Sequence, residues 1–131
     1  MTEGSALAAG RGEMDGEHRV QMSLIFALEQ ALESGLGKDG VKDLVTQLIA
    51  FTNVHFMSEQ LLMRFAAYPD IGMHEAEHDG LMDQLRRIES SFVLGDSRMM
   101  ISESQVLRHL LVEHIRTHDL FFSQYLSDSA A

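Results

Sequence analysis

Apolar residues recur at steps of three and four along most of the chain, which is the spacing of one buried face of an α-helix. Candidate capping residues, glycines and the single proline divide this pattern into four segments. The predicted helices run from Asp15 to about Ser34, from Asp39 to Tyr68, from Asp70 to about Gly95, and from Ser102 or Ser104 to about Ser127. Because short connections place successive helices side by side in opposite directions, the pattern predicts an all-α, antiparallel up-down-up-down four-helix bundle.

The length and the extent of this periodicity predict a single domain. A chain of 131 residues is long enough to bury one core. The domain is expected to span residues 14–127. Residues 1–13 lack apolar periodicity and are expected to form a flexible amino-terminal tail, and residues 128–131 are expected to be a tail or the start of a linker.

Chargeable side chains occupy positions on the predicted apolar faces. The face of the second helix leads into His55 and Glu59, and the face of the third helix begins with His74 and His78. The members of each pair are four residues apart, so both can point at one place. Because a buried polar group costs free energy unless something satisfies it, a shared partner explains these positions better than separate hydrogen bonds do.

The first and fourth predicted helices supply further candidates. These are His18, His114 and a third residue that follows His114. The third residue is either His118, which α-helical spacing favours, or Asp119. A single inward histidine is more often a hydrogen-bonded core residue, but imidazoles from every predicted helix meeting at one place predict a metal centre. Nitrogen and carboxylate ligands without sulfur suit iron or another borderline metal. The set exceeds the needs of one ion, so it predicts two ions that share the carboxylates and keep one position open for a small ligand.

Composition restricts the partners of this domain. The net charge is −10, with 20 acidic against 10 basic residues, so neither a nucleic acid nor an anionic membrane is an expected partner. The absence of cysteine excludes disulfides, thiolate zinc sites and iron–sulfur ligation. No apolar run reaches the length of a membrane span, and the first residues do not resemble a secretory signal. We therefore expect a soluble, cytoplasmic domain.

Four stretches together resemble the hemerythrins, and in particular the bacterial hemerythrin-like domains. They are Met14-Asp15-Gly16-Glu17-His18, His55-Phe56-Met57-Ser58-Glu59, Tyr68-Pro69 followed by His74 and His78, and His114-Ile115 followed by Asp119. The resemblance covers roughly residues 14–126, and the complete set of ligands in this order makes it specific.

The resemblance implies how the ligands divide between two iron ions. One iron would take His74, His78 and His114, and the other would take His18 and His55 and keep the open position. Glu59 and Asp119 would bridge the ions together with an oxide or hydroxide, so the carboxylate ligand is Asp119 rather than His118. The implied cofactor is thus a pair of Fe²⁺ or Fe³⁺ ions, and the implied ligand is dioxygen or a small anion.

Two departures from the family pattern fall near the implied open position. The family tends to have Leu where this chain has Gln21, and bacterial members usually have Trp where it has Leu110. Phe56 and Ile115 keep the apolar walls of the implied oxygen pocket. The polar Gln21 and the smaller Leu110 predict a wetter and roomier pocket, in which the oxygenated form decays faster than in a carrier protein.

The expected function is oxygen binding without catalysis by this domain. The ligand pairs lack the Glu-x-x-His spacing of carboxylate-rich di-iron oxidases, and the excess of nitrogen ligands favours reversible binding over oxygen activation. A fast-decaying adduct predicts a sensor of oxygen or redox state that regulates a fused effector, such as a diguanylate cyclase or a chemotaxis receptor. The alternatives are a stand-alone oxygen carrier or storage protein, a peroxide or nitric oxide reductase, and a structural zinc bundle.

Overall fold

The computed structural model describes the backbone of residues 3–35 and 37–130, and the side chains of residues 15–35 and 37–128. The elements in chain order are α1 (Glu3–Ser34), α2 (Lys38–Phe65), α3 (Ile71–Leu94), α4 (Ser97–His114), a π-helical turn (Ile115–Asp119) and α5 (Leu120–Ala130). Since α4, the π turn and α5 follow one another without a break, they form a single fourth rod. Within the described residues, no helix combines the length and the hydropathy that crossing a bilayer requires.

Each rod packs against the next one in the chain, and the fourth returns to the first. Helix α1 contacts α2 on one side and both α4 and α5 on the other, while α3 contacts α2 and α4. The prediction of an all-α, antiparallel up-down-up-down four-helix bundle is therefore confirmed.

The connections between the rods are short and defined by particular contacts. Gly35 and Gly95 have positive φ angles of 75° and 70°, a conformation that favours glycine, and they end α1 and α3. The Asp96 side chain accepts a hydrogen bond of 3.0 Å from the Met99 amide and so caps α4. At the opposite end of the bundle, the Tyr125 hydroxyl donates to the Ala66 carbonyl at 2.6 Å. This bond fixes the turn between α2 and α3 against α5.

The residues whose side chains are described form two apolar clusters in the interior. The large cluster lies among all four rods and includes Ile25, Leu28, Leu48, Leu85, Ile88, Leu107 and Leu111. The small cluster, near the turn between α2 and α3, contains Met63, Ala66, Tyr68, Phe122 and Leu126. On the fourth rod, the residues between Leu111 and Phe122 include His114 and Asp119. The candidate ligands therefore occupy a layer between the two clusters.

The first and fourth rods extend further than the sequence predicted, whereas α2 ends at Phe65, before the predicted Tyr68. Helix α1 begins at Glu3, so residues 3–13 are helical and the predicted tail is wrong there; Met1 and Thr2 lie outside the described residues. Alanine, leucine, glutamate and arginine favour helix in this segment, and its isolated glycines each cost only about 1 kcal/mol. The fourth rod likewise begins at Ser97 and continues to Ala130, because neither glycine nor proline interrupts it; Ala131 lies outside the described residues.

Candidate metal centre

Seven chargeable side chains from all four rods meet in the layer between the apolar clusters. They are His18 on α1, His55 and Glu59 on α2, His74 and His78 on α3, His114 at the end of α4, and Asp119 in the π turn. The His18 side chain is 13% exposed, and the other six residues are each 4% exposed or less. The structure therefore brings together every ligand that the sequence and the resemblance predicted.

The ligand atoms form two groups that share a carboxylate. One group comprises Glu59, His74, His78, His114 and Asp119, and the other comprises His18, His55 and Glu59, with the ligand atoms of each group within 4.8 Å of one another. Asp119 also reaches the second group, since its Oδ2 lies 2.9 Å from Nε2 of His18. Three imidazoles thus surround one position and two surround the other.

Both carboxylates lie between the two groups and present one oxygen to each. Glu59 Oε1 is 3.0 Å from Nε2 of His78, whereas Glu59 Oε2 is 3.6 Å from Nε2 of His55. Asp119 Oδ1 is 2.9 Å from Nε2 of His74 and 3.1 Å from Nε2 of His114, whereas its Oδ2 faces His18. Carboxylates in this arrangement can each bridge two metal ions.

The donor set fits metal ions better than it fits a hydrogen-bonded core. Two ligand atoms that bind one ion at right angles, each through a bond of about 2.1 Å, lie about 3 Å apart. The shorter distances between the imidazole nitrogens and the carboxylate oxygens have this length. The Nε2 atoms of four of the histidines and three of the four carboxylate oxygens are buried without a hydrogen bond of acceptable direction. Buried polar atoms in that condition are costly. A metal ion at each position would satisfy them together.

The π turn decides which side chain of the fourth rod joins the layer. A π-helix bonds each residue to the fifth one along, so His114 and Asp119 share a face. His118, which α-helical spacing favours, is 28% exposed and stacks on the ring of His114 at 5.6 Å. Nothing in the apolar pattern signals this turn, and Asp119 follows from the family motif alone.

Several ligand imidazoles have a partner on the outer side of the ring. Nδ1 of His55 lies 3.0 Å from Glu17 Oε2, and Nδ1 of His78 lies 2.9 Å from Gln60 Oε1. An Nδ1–H that donates to such an acceptor leaves the Nε2 lone pair facing the centre. Nδ1 of His114 is 3.5 Å from Glu77 Oε1. This last contact is not a hydrogen bond, since Nδ1 of His114 is buried without one. Sequence reasoning missed all three contacts, although Glu17, Gln60 and Glu77 each adjoin a ligand in the chain.

Phe56 and Ile115 lie beside the ligands as predicted, and Leu110 does not. Phe56 is 3% exposed and stacks face to face on His78, with ring centroids 3.9 Å apart. Ile115 lines a crevice of about 580 Å³ between α1 and the fourth rod, together with His18, Met22 and Val112. Leu110 is 41% exposed, because Leu111 takes the core-facing position. Leu110 is not among the residues that line this crevice, and its place in the oxygen pocket stays a prediction.

Gln21 is buried one helical turn from His18. It is 1% exposed, and its side-chain amide donates to Thr52 Oγ1 at 3.1 Å. Thr52 lies one turn from His55 on α2. Gln21 and Thr52 therefore form a polar layer next to the ligand group that contains His18 and His55. The side-chain oxygen of Gln21 is buried without a hydrogen-bond partner.

The imidazoles and carboxylates of the layer shift one another's pKa values. Burial lowers the pKa values of His18 and His74, but the adjacent carboxylates of Asp119 and Glu59 outweigh it and raise both to about 9. Burial raises the pKa of Asp119, yet its contacts with His114, His18 and His74 hold it well below its usual range. The pKa of Glu59 is also lowered, to about 2, because contacts with His18, His74 and His78 outweigh burial. Metal ions would replace the protons between these groups.

Comparison with known proteins identifies the family. Residues 10–125 match the family model of the hemerythrin HHE cation binding domain. A bacteriohemerythrin of Methylococcus capsulatus is 28% identical over 116 residues, which cover 88% of each chain. A bacteriohemerythrin of Ralstonia nicotianae is 27% identical over 93% of this chain and 85% of its own, and hemerythrin subunit 2 of Golfingia vulgaris is 30% identical over 81% and 75%. No solved structure matches the chain at a comparable level. With the family match covering most of its length and the ligand layer intact, this chain belongs to the hemerythrin family.

Proposed function

We propose that the chain is a non-haem di-iron domain that binds dioxygen or a small anion reversibly. The imidazoles of His74, His78 and His114 would hold one iron, those of His18 and His55 would hold the other, and both carboxylates would bridge them. The observation that carries this assignment is that Glu59 and Asp119 each present one oxygen to each group of imidazoles. With three imidazoles on one side and two on the other, the second ion would have one protein ligand fewer and could take a small molecule.

An iron pair with one open position supplies electrons and a coordination site for dioxygen, and the protein supplies its surroundings. Phe56 covers the His78 ring and helps to keep water from the layer. Glu17 fixes the orientation of His55, and Gln60 fixes that of His78, each through a hydrogen bond with the histidine Nδ1. The crevice beside His18 gives a small apolar molecule a route to the group with two imidazoles.

The charge of the ligand set favours binding over oxidation of a substrate. Five neutral imidazoles and two carboxylates donate less negative charge than a carboxylate-rich site does, so high oxidation states of iron are poorly supported. We therefore assign no catalytic step to the domain. A peroxide or nitric oxide reductase is the rival hypothesis, and it requires repeated turnover with an external reductant.

Metal content and absorption spectra test this proposal. Protein supplied with iron should retain two ions per chain, and its oxidised form should absorb as an oxo-bridged ferric pair and change colour with azide. Reduction followed by air should produce a reversible, oxygen-dependent band. Retention of a single ion, or a spectrum that azide leaves unchanged, would overturn the proposal, and preferential retention of zinc would favour a structural site.

We further propose that the domain acts in the cytoplasm as a sensor of oxygen or redox state for an effector domain or partner. The position of Asp119 supports this role. Asp119 ends the π turn and directly precedes α5, and α5 packs against α1. A change at the carboxylate would therefore reach the two elements nearest the ends of the described chain. Amide hydrogen exchange compared between diferrous and diferric protein should differ in α5. Equal exchange in both states would favour a carrier or storage protein.

A further inference from the structure

The outer face of α2 carries large apolar side chains that the bundle does not cover. Val54, Met57, Leu61 and Phe65 are 59%, 57%, 63% and 59% exposed. They follow one another at steps of three and four, so they form one stripe along the helix, here called the α2 stripe. Exposed apolar surface that is contiguous in this way is typical of an interaction site.

Apart from Arg64 at one end, the part of α2 that carries the stripe exposes no charged side chain. Between Leu44 and Met63, Glu59 is the only Asp, Glu, Lys or Arg, and Glu59 is buried in the metal layer. The exposed neighbours of the stripe are Thr46, Gln47, Ala50, Asn53 and Ser58. Elsewhere the surface is acidic, as on α3, where Asp79, Asp83 and Glu89 are exposed, and the net charge of the chain is −10. Two copies would repel each other through such acidic faces but not through this one.

A shallow groove adjoins one end of the stripe. It has a volume of about 470 Å³ and is lined by Val20, Leu24, Gln47, Ala50, Phe51 and Val54 of α1 and α2. Ala50 is the smallest of these side chains. It lies one helical turn from Val54, which belongs to both the groove and the stripe. A large apolar side chain from outside can therefore pack over Ala50.

We propose that the α2 stripe is the interface of a symmetric homodimer, in which α2 packs antiparallel against α2 of a second copy. In a twofold interface, if residue i contacts residue j, then j contacts i. The register that places large side chains against small ones sets Leu61 of the second copy over Ala50, and Met57 of the second copy against Val54. The same register places Arg64 opposite the neutral Gln47, so no like charges meet.

The area available agrees with a stable dimer. An aromatic side chain such as that of Phe65 buries about 150–250 Å² and an aliphatic one buries less, and the four stripe residues and Val20 are each about half exposed. With the small polar neighbours, each copy would bury about 700 Å², close to the roughly 800 Å² per partner of a standard interface. The depletion of charged residues also matches the centre of such interfaces.

Sedimentation velocity on the intact chain tests the proposal. At roughly 100 µM, a concentration that saturates a micromolar dimer, the species should have twice the 14.7 kDa mass of the chain. Added salt should strengthen the dimer, since it screens the repulsion between two copies of charge −10. Leu61→Glu should give a monomer. Leu110→Glu is the matched control, because Leu110 is 41% exposed on α4, and it should leave the dimer intact.

A pair of opposite charges tests the register. Ala50→Lys and Leu61→Glu should each give a monomer, and the double variant should restore the dimer, because each lysine then faces a glutamate of the second copy. Residues 50 and 61 are three helical turns apart on one helix, too far to pair within a chain. Circular dichroism should show unchanged helix content in every variant, since both positions are exposed.

Each other outcome overturns the proposal. A wild-type protein that stays monomeric at this concentration excludes a second copy as the occupant of the stripe and leaves a different protein to cover it. A dimer that survives Leu61→Glu, or that Leu110→Glu abolishes, places the interface elsewhere. A double variant that stays monomeric shows that the antiparallel register is wrong.

Discussion

His114 and Asp119 point into the same layer although they are five positions apart in the chain. Nε2 of His114 lies 3.1 Å from Oδ1 of Asp119, and the π turn Ile115–Asp119 produces this pairing. In an uninterrupted α-helix the residue that shares a face with His114 would be His118. The π turn therefore determines that a carboxylate, rather than a sixth imidazole, joins the centre. Such turns are frequent at functional sites.

Replacing Asp119 should abolish the pair of metal ions. Asp119→Asn keeps the size of the side chain but removes the charge that two ions would share. Iron affinity should fall by more than about 100-fold, because loss of an outer partner alone typically costs 10–100-fold. Iron content after gel filtration measures this. His118→Asn is the control from the same turn and should retain two irons. Equal iron content in the two variants would contradict the assignment of Asp119.

Removing the partner of His55 should weaken metal binding without removing a ligand. Glu17→Ala deletes the carboxylate 3.0 Å from Nδ1 of His55, so the imidazole loses its fixed orientation. Iron affinity should fall about 10–100-fold. Competition with a graded series of chelators measures the change. Asp15→Ala, which removes an exposed acid two positions away, should have no effect. The same loss in both variants would point to general electrostatics instead.

The stability of the metal-free protein should depend on pH in a defined direction. The pKa values of His18 and His74 rise from 6.5 to about 9 on folding, so their contribution is fully present below pH 6.5 and is lost as pH rises through about 9. The pKa of Glu59 falls from 4.5 to about 2, so its contribution is present above pH 4.5 and is lost as pH falls through about 2. Burial lowers the pKa of His78, so its contribution is lost as pH falls below 6.5, and the Tm of metal-free protein should therefore be highest near pH 6.5.

Metal uptake should show the opposite trend in the alkaline range. Binding at His18 and His74 displaces their protons, so iron affinity should increase between pH 6.5 and about 9. Titration of metal-free protein with ferrous ions at several pH values, in the absence of oxygen, measures this. The number of protons released should also decline across the range. An affinity that is constant from pH 6.5 to 9 would show that the imidazoles are already neutral.

Gln21 should control the lifetime of the oxygenated protein. Its buried side-chain oxygen lacks a partner, and it lies one turn from His18, so it can draw water towards the group with two imidazoles. Gln21→Leu should slow autoxidation severalfold. Leu110→Trp should change little, because Leu110 is 41% exposed. The decay of the oxygen-dependent absorption band gives both rates. Decay of Gln21→Leu at the wild-type rate would exclude this role.

Most of the fold and the ligand layer could be predicted from the sequence because they follow helical periodicity. His55 with Glu59 and His74 with His78 interrupt apolar stripes at a spacing of four, and both pairs lie where that spacing places them. Periodicity could not give Asp119, because a π turn leaves no mark in the pattern of apolar residues. The outer partners of the histidines depend on how neighbouring rods are rotated. The start of α1 at Glu3 was missed because its segment favours helix without presenting an apolar face.

The two apolar clusters on either side of the metal layer have a consequence for how the protein acquires iron. One closes the bundle at the end near Leu48 and Ile88, and the other closes it at the end near Met63 and Phe122. Hydrocarbon contacts join all four rods at the first end and join α2, α3 and the fourth rod at the second, so we expect the chain to assemble without waiting for iron. A molecule made during iron scarcity would then keep its native shape and could be loaded later, which would make synthesis and maturation separate events.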